Sequence, residues 1–223
     1  MIESLTINNQ PLIRPIWDYK RFRELYSGFL RGKQFQFTPA VQAKEYLQVG
    51  CGPQPFTDMA NLDYIWQRGV DVCWDVTKTL PWADRSLQGI FTEHCLEHIS
   101  REGCAFALKE FRRILKPGAT LRIVVPDGEL YLNLYQRAKN GEKVEFPYQA
   151  ADETTPMVCV NRIFREFTHI FIYDEETLRV MLERAGFVDI KRETFMHGRD
   201  AKLLRDTQAR AVESLYIEAS VPA

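Results

Sequence analysis

The feature that most constrains this chain is a short, mostly apolar run, Glu45 to Val49, that stops at Gly50-Cys51-Gly52-Pro53. An extended run halted by two glycines and a proline reads as a strand entering a tight turn. Glycine at such a bend lets the backbone turn freely and leaves no Cβ between the main chain and a ligand. If the strand belongs to a parallel sheet, the cleft beyond the carboxyl ends of the strands is where that ligand would rest.

The rest of the sequence supplies such a sheet. Short strands are expected around Asn61 to Asp63, Val70 to Trp74 and Leu87 to Thr92. A helix follows over Ala105 to Lys116, with Cys104, Leu108, Phe111 and Leu115 on one face and Pro117-Gly118 as its stop. Its basic residues Lys109, Arg112, Arg113 and Lys116 read as a solvated face. The β-branched run Thr120 to Val125, stopped by Pro126, reads as a buried strand.

Beyond it, Glu129 to Asn140 is expected to be helical, and the polar stretch from there to Phe164 a loop or insertion beside the site. Asp174 is the N-cap of a further helix that aligns Leu178, Met181, Leu182 and Ala185 and closes at Gly186. Phe187 to Phe195 and Leu215 to Ser220 are the last strands. Strands interleaved with helices, ending in two strands with no clear helix between them, predict an α/β fold whose parallel sheet has an antiparallel edge.

Upstream, Pro15 to Leu30 places Ile16, Tyr19, Phe22, Tyr26, Phe29 and Leu30 at helical spacing, as a packing face or lid. Residues 1–40 are therefore read as an N-terminal helical segment and 41–223 as the domain that carries the site. At 223 residues the chain is long enough to bury a sizeable core. A formal net charge of -1 gives no sign of a nucleic-acid partner. Cys51, Cys73, Cys95, Cys104 and Cys159 are odd in number and scattered, which fits a reducing cytoplasm. The N-terminus lacks the pattern of a signal peptide, and no stretch is long and apolar enough to span a bilayer.

Asp63, at the end of the second strand, can accept both hydroxyl protons of a ribose, and Asp75 follows the third strand within reach of an adenine. A lone G-x-G occurs in many turns that bind nothing, so the weight lies in the order of the motifs. Val49-Gly50-Cys51-Gly52-Pro53 is followed by Leu80-Pro81-Trp82-Ala83-Asp84-Arg85-Ser86-Leu87, then Glu93-His94-Cys95-Leu96-Glu97-His98, then Leu115-Lys116-Pro117-Gly118 before the β-branched strand.

In that order the chain resembles the class I S-adenosylmethionine-dependent methyltransferases, in the group described as methyltransferase type 11. The match runs over roughly residues 45 to 127, and Phe171 to Asp174 with Ala185 to Phe187 resemble that family's final helix and strand. The resemblance implies a Rossmann-like, seven-stranded, mostly parallel sheet with an antiparallel edge strand and helices on both faces. It implies S-adenosylmethionine as cofactor, held by Gln48, Gly50, Cys51, Gly52, Asp63, Asp75 and Glu93. Glu93 and His94 would face the sulfonium and the acceptor as the catalytic pair, and the acceptor would be a small molecule or a glycan-type hydroxyl.

Three departures stand out. Gln48 replaces the family's usual acid, Gln54 replaces a frequent third glycine, and the Gly52 to Asp63 gap, with Pro53 and Pro55, is too short for a full first helix. Two other functions remain in view: a nicotinamide dehydrogenase, whose fold also opens with a glycine turn, and a protein that binds S-adenosylmethionine without turnover. His94 and His98 are four apart, as they would be on one helical face, but no third ligand stands near them in sequence, so no metal is expected. His98 is expected to pack against the sheet, and His169 to be a hydrogen-bonded core histidine.

Overall fold

The computed structural model describes residues 6–7, 10–11, 19–149 and 155–223. Strands β1 (Thr6–Ile7) and β2 (Gln10–Pro11) pair antiparallel, and helix α1 spans Tyr19–Leu30. A single turn, α2 (Pro39–Gln42), leads into β3 (Tyr46–Val49), β4 (Ala60–Asp63), β5 (Val72–Cys73) and β6 (Leu87–Glu93). Helix α3 (Arg101–Ile114) precedes β7 (Leu115–Pro126), which is followed by α4 (Gly128–Lys139), α5 (Pro156–Arg165) and α6 (Glu175–Ala185). Strands β8 (Val188–Glu193) and β9 (Ser214–Ser220) complete the seven-stranded sheet, in the order β5-β4-β3-β6-β7-β9-β8. The first five strands run parallel, and β9 lies antiparallel between β7 and the edge strand β8.

Local chemistry accounts for the helix boundaries. Ser100 Oγ accepts the Gly103 amide at 3.1 Å, so α3 starts four residues before the expected Ala105. The helix stops at Ile114 and not at Lys116, because the residue before Pro117 is disfavoured in the helical region. Asp174 caps α6 through the Thr177 amide at 2.8 Å, and Gly186, at φ +87°, closes it as expected. The stretch expected to be a loop up to Phe164 contains α5, whose first residue is Pro156 and whose Cys159, Val160 and Ile163 pack against Tyr131, Leu134 and Phe146.

Of the proposed N-terminal helix, Pro15 to Asp18 lie outside the described residues. Its expected packing face is mostly exposed, with Phe22 at 47% and Phe29 at 65%, while Leu30 and Ser27 are buried. Ser27 sets this orientation, since its Oγ accepts the Trp66 amide at 2.8 Å.

One face of the sheet, with Leu47, Ile90, Ile123 and Ile217, packs on α3 and α6 through Leu108, Phe111, Leu178 and Leu182. Burying each such side chain contributes about 1.5–3 kcal/mol. Over β3, β6, β7 and β9 the opposite face carries Tyr46, Phe91, Val124 and Tyr216, covered by Met59 and by Leu203 on a short 3-10 turn. The short proline-bearing connection between β3 and β4 forms no helix there.

That second face also holds Arg122, fully buried in mid-strand. Its guanidinium donates to Asp206 Oδ1 and Oδ2 at 2.8 and 2.5 Å, to Glu218 Oε1 at 2.9 Å, and to the His197 and Thr194 carbonyls at 2.8 and 3.2 Å. Glu218 sits directly opposite Arg122 in the β7–β9 register, and Asp206 comes from the connection between β8 and β9. Arg113, read as solvated, instead fastens the loop before β6, donating to Glu110, Asp84 and the Leu80 and Trp82 carbonyls.

Replacing Arg122 by Met removes the guanidinium that pairs with both buried carboxylates, and among the described residues leaves Glu218 with Arg199 at 3.8 Å and Asp206 with no ion-pair partner. We expect Arg122→Met to lose about 3–5 kcal/mol of stability in urea denaturation. A loss below about 1 kcal/mol would contradict this account of the network.

Candidate functional site

The ends of β3 to β6 open on one side of the sheet. At the end of β3 the chain turns with Gly50 at φ +70° and Gly52 at φ +51°. A Cβ on Gly50 would lie 2.6 Å from both Cβ and Sγ of Cys95, so no side chain fits there. The Gly52 amide donates to Asp63 Oδ2 and the Ile65 amide to Asp63 Oδ1, both at 2.8 Å. Asp63 thus fixes the glycine turn and also lines the cleft. Asp75 Oδ1 accepts the Thr77 amide and hydroxyl at 2.9 and 2.7 Å.

Gln48 clamps the short loop that follows the turn. Its Oε1 accepts the Phe56 amide and its Nε2 donates to the Gln54 carbonyl, each at 3.1 Å. An acid at this position could accept the first of these bonds but could not donate the second. Cys51 is buried, and burial pushes its thiol up to about 12, so it is not a thiolate nucleophile.

Gln48, Gly50, Cys51, Gly52, Asp63, Asp75, Glu93 and His94 all line a single cavity of about 660 Å³. A second cavity, of about 480 Å³, lies beside it and is walled by Tyr131, Tyr148, Arg162, His169 and Glu213. His94, His98 and Arg210 line both.

Glu93, the last residue of β6, accepts the Thr207 amide at 2.8 Å and the Thr207 hydroxyl at 2.5 Å, and lies 3.7 Å from Arg210. Its carboxylate therefore holds the connection that roofs the cleft. His94 adopts φ +48°, a left-handed conformation uncommon outside glycine, with its amide bonded to the Val124 carbonyl at 2.8 Å. That bend turns the ring to the junction of the two cavities, where His94 Nε2 meets Ser214 Oγ at 2.9 Å. Burial lowers the imidazole to about 3, with Arg210, His169 and His98 adding to the effect, so it is neutral at pH 7.

His94 and His98 do not share a helical face, because the chain between them forms a 3-10 turn, Leu96–His98. The Ile170 and Phe171 amides both donate to the Glu97 carbonyl, at 2.7 and 3.2 Å, which brings His169 alongside. His98 and His169 stack edge to face with centroids 5.0 Å apart. His169, as expected, is a hydrogen-bonded interior residue, with Nδ1 2.6 Å from the Ile163 carbonyl. His98, expected to pack against the sheet, meets His169 and Thr168.

The side chain at the centre of this group is Glu97, fully buried, with neither carboxylate oxygen in a hydrogen bond among the described residues. Burial pushes its carboxyl up to about 8. Sequence reading missed Glu97, Arg210 and Ser214 as site residues. Glu97 belongs to the quoted Glu93 to His98 motif, but nothing local announces its burial, and Arg210 and Ser214 reach the cleft only through tertiary structure.

A family model described as Methyltransferase domain matches residues 18–192. Among curated proteins none matches the chain. Several solved structures share the fold at low sequence identity. A protein of Thermotoga maritima, titled a S-adenosylmethionine-dependent methyltransferase and possible histamine N-methyltransferase, is 17% identical over 90% of each chain, with a TM-score of 0.50. A S-adenosylmethionine-dependent methyltransferase of Archaeoglobus fulgidus is 18% identical, over 92% of this chain and 100% of that one, with a TM-score of 0.50. Another, from Mesorhizobium loti, is 15% identical over 82% of this chain and 94% of that one, again with a TM-score of 0.50.

The contact between Gly50 and Cys95 can be measured against a glycine with open space around it. Gly118 has a comparable φ of +74°, but an added Cβ there meets nothing within 4 Å. Both Gly→Ala variants carry the left-handed penalty, and Gly50→Ala should lose about 1–3 kcal/mol more than Gly118→Ala in chemical denaturation. Equal losses would mean that the turn has room to relax.

Proposed function

Because the chain belongs to the methyltransferase-domain family, we propose that it moves the methyl group of S-adenosylmethionine onto a hydroxyl of a small-molecule or glycan-type acceptor held in the second cavity. The observation that carries this proposal is the bare turn at Gly50 and Gly52, opening with Asp63 and Asp75 onto a cavity that adjoins a second one at His94. The donor set suits a sulfonium nucleoside: main chain without a Cβ for the methionine part, Asp63 for the ribose hydroxyls, Asp75 beside the adenine, and Gln48 and Cys51 in the same wall. When bound, the cofactor supplies an electrophilic methyl carbon on a positively charged sulfur.

The protein's task is then to align the acceptor with the carbon–sulfur bond and keep water out. His94, neutral and at the junction, would meet an acceptor hydroxyl by exchanging its Ser214 bond for it, and Tyr131, Tyr148 and Glu213 give the second cavity polar walls suited to a hydroxylated ligand. Glu93 serves from behind by holding Thr207 and Arg210 over the cleft.

S-adenosylhomocysteine should raise the thermal midpoint of the protein, and NAD should not. Asp63→Asn keeps one of the two acceptors for the turn amides, loses the other together with the charge, and should weaken S-adenosylhomocysteine by about ten- to a hundredfold in calorimetry. Stabilisation by NAD alone would replace methyl transfer with hydride transfer. Binding of the nucleoside without any transfer of labelled methyl to hydroxylated acceptors from a cell extract would leave a cofactor-binding protein without turnover.

A further inference from the structure

Glu97 is flanked by three imidazoles. Its Oε1 lies 3.5 Å from His94 Nδ1, 3.9 Å from His98 Nε2 and 4.0 Å from His169 Nε2. The ring nitrogens that point the other way all have partners, and those partners assign the tautomers. His169 Nδ1 faces the Ile163 carbonyl, which can only accept, so this nitrogen carries the proton. Thr168 Oγ1 donates to the Phe167 carbonyl and therefore accepts from His98 Nδ1, 3.4 Å away. Ser214 Oγ donates to the Arg210 carbonyl at 2.8 Å and therefore accepts from His94 Nε2.

Each histidine thus turns its N–H outward and its lone pair inward, toward the Glu97 carboxyl group, which has no hydrogen bond among the described residues. The inward lone pairs and the buried carboxyl oxygens repel one another unless a proton or a metal cation stands among them. Outer hydrogen bonds that fix the tautomer and leave the inner nitrogen bare are the arrangement found behind metal-ligating histidines.

We propose that Glu97, His98 and His169 form a binding site for a divalent first-row transition metal, zinc or a neighbour, in the wall of the second cavity. The ligand atoms of these three residues lie within 4.8 Å of one another. Zinc bonds of about 2.0–2.2 Å in tetrahedral geometry place ligand atoms about 3.4 Å apart, so side-chain shifts of under about 1 Å close the site. Two imidazoles and one carboxylate favour such an ion over magnesium or calcium, which prefer oxygen ligands throughout. Three protein ligands also leave coordination positions open toward the second cavity, which all three residues line.

The use we assign to those positions rests on the methyl-transfer proposal above. With an ion held there, it would act as a Lewis acid on an acceptor hydroxyl: the hydroxyl would give up its proton to solvent as it binds, before water is excluded, and its oxygen would form the bond to the methyl carbon. The carbon–sulfur bond breaks with its electron pair remaining on sulfur.

The test begins with untagged full-length protein stripped by a chelator. Titration with Co²⁺ should give one equivalent of binding with visible d–d absorption, and Zn²⁺ should abolish the band by displacement. His169→Gln should weaken Co²⁺ at least about a hundredfold, the upper end of what loss of a mere supporting group costs. His169 does not line the first cavity, so the variant should keep its stabilisation by S-adenosylhomocysteine, which shows that it is folded and separates this test from that of the cofactor. Zinc-edge X-ray absorption of the unmodified protein, which needs no variant, should show the outer-shell scattering of two imidazoles. Absence of stoichiometric Co²⁺ binding, undiminished binding by folded His169→Gln, or a zinc spectrum without imidazole overturns the proposal. The first of these results would mean that the inward lone pairs and Glu97 are reconciled by a proton alone.

Discussion

The buried guanidinium of Arg122 is the interaction on which the functional half of this molecule depends. In the middle of β7 it cannot reach water, so its charge is balanced by Glu218 across the strand pair and Asp206 from the β8–β9 connection. Its further bonds to the His197 and Thr194 carbonyls spread that hold along the connection. Hydrophobic side chains of the same volume could fill the space. They could not specify where a long irregular segment lies, and a satisfied charge network does so. From Asp206 the chain runs directly to Thr207, Arg210 and Ser214, the residues that meet Glu93 and His94.

The site is divided into two chambers by the ends of the central strands. Backbone that no side chain can obstruct defines the first, and polar side chains from α4, α5 and the β8–β9 connection define the second. His94 belongs to both because its backbone is held in the left-handed region by the bond to Val124. Strain of this kind persists only where the surroundings determine it. A second example lies at Phe167 and Thr168, which adopt φ +57° and +65° just before His169 swings in beside Glu97.

Much of the first chamber was legible in the sequence because its determinants are local. A β-branched or apolar run, two glycines and an acid at each following strand end are short-range features, and the structure brings the four residues read from them, Gly50, Gly52, Asp63 and Asp75, to one cavity with the four that the family resemblance added, Gln48, Cys51, Glu93 and His94. The second chamber was not legible. Helix α5 hides in a stretch whose polar opening masks the spacing of Cys159, Val160 and Ile163. Arg122 reads as one charge in an otherwise apolar strand, and its partners lie on elements formed much later in the chain. Glu97 was visible as a letter in a motif, yet its burial depends on a segment that arrives by bonding to its own carbonyl. The role of Gln48 as a loop clamp likewise follows from the missing helix between β3 and β4, which the two prolines did announce.

That missing helix has a kinetic consequence. In its place the second face is closed by a segment near the other end of the chain, so Tyr46 meets Asp200 across 154 residues and Glu93 meets Thr207 across 114. Contacts so distant along the chain carry a loop-closure cost that must be met before they return any stabilisation. The sheet and its α3 and α6 layer can assemble without them, and the cleft cannot. Its roof therefore carries the loop-closure cost of those long-range contacts in addition to that of the β7–β9 pairing.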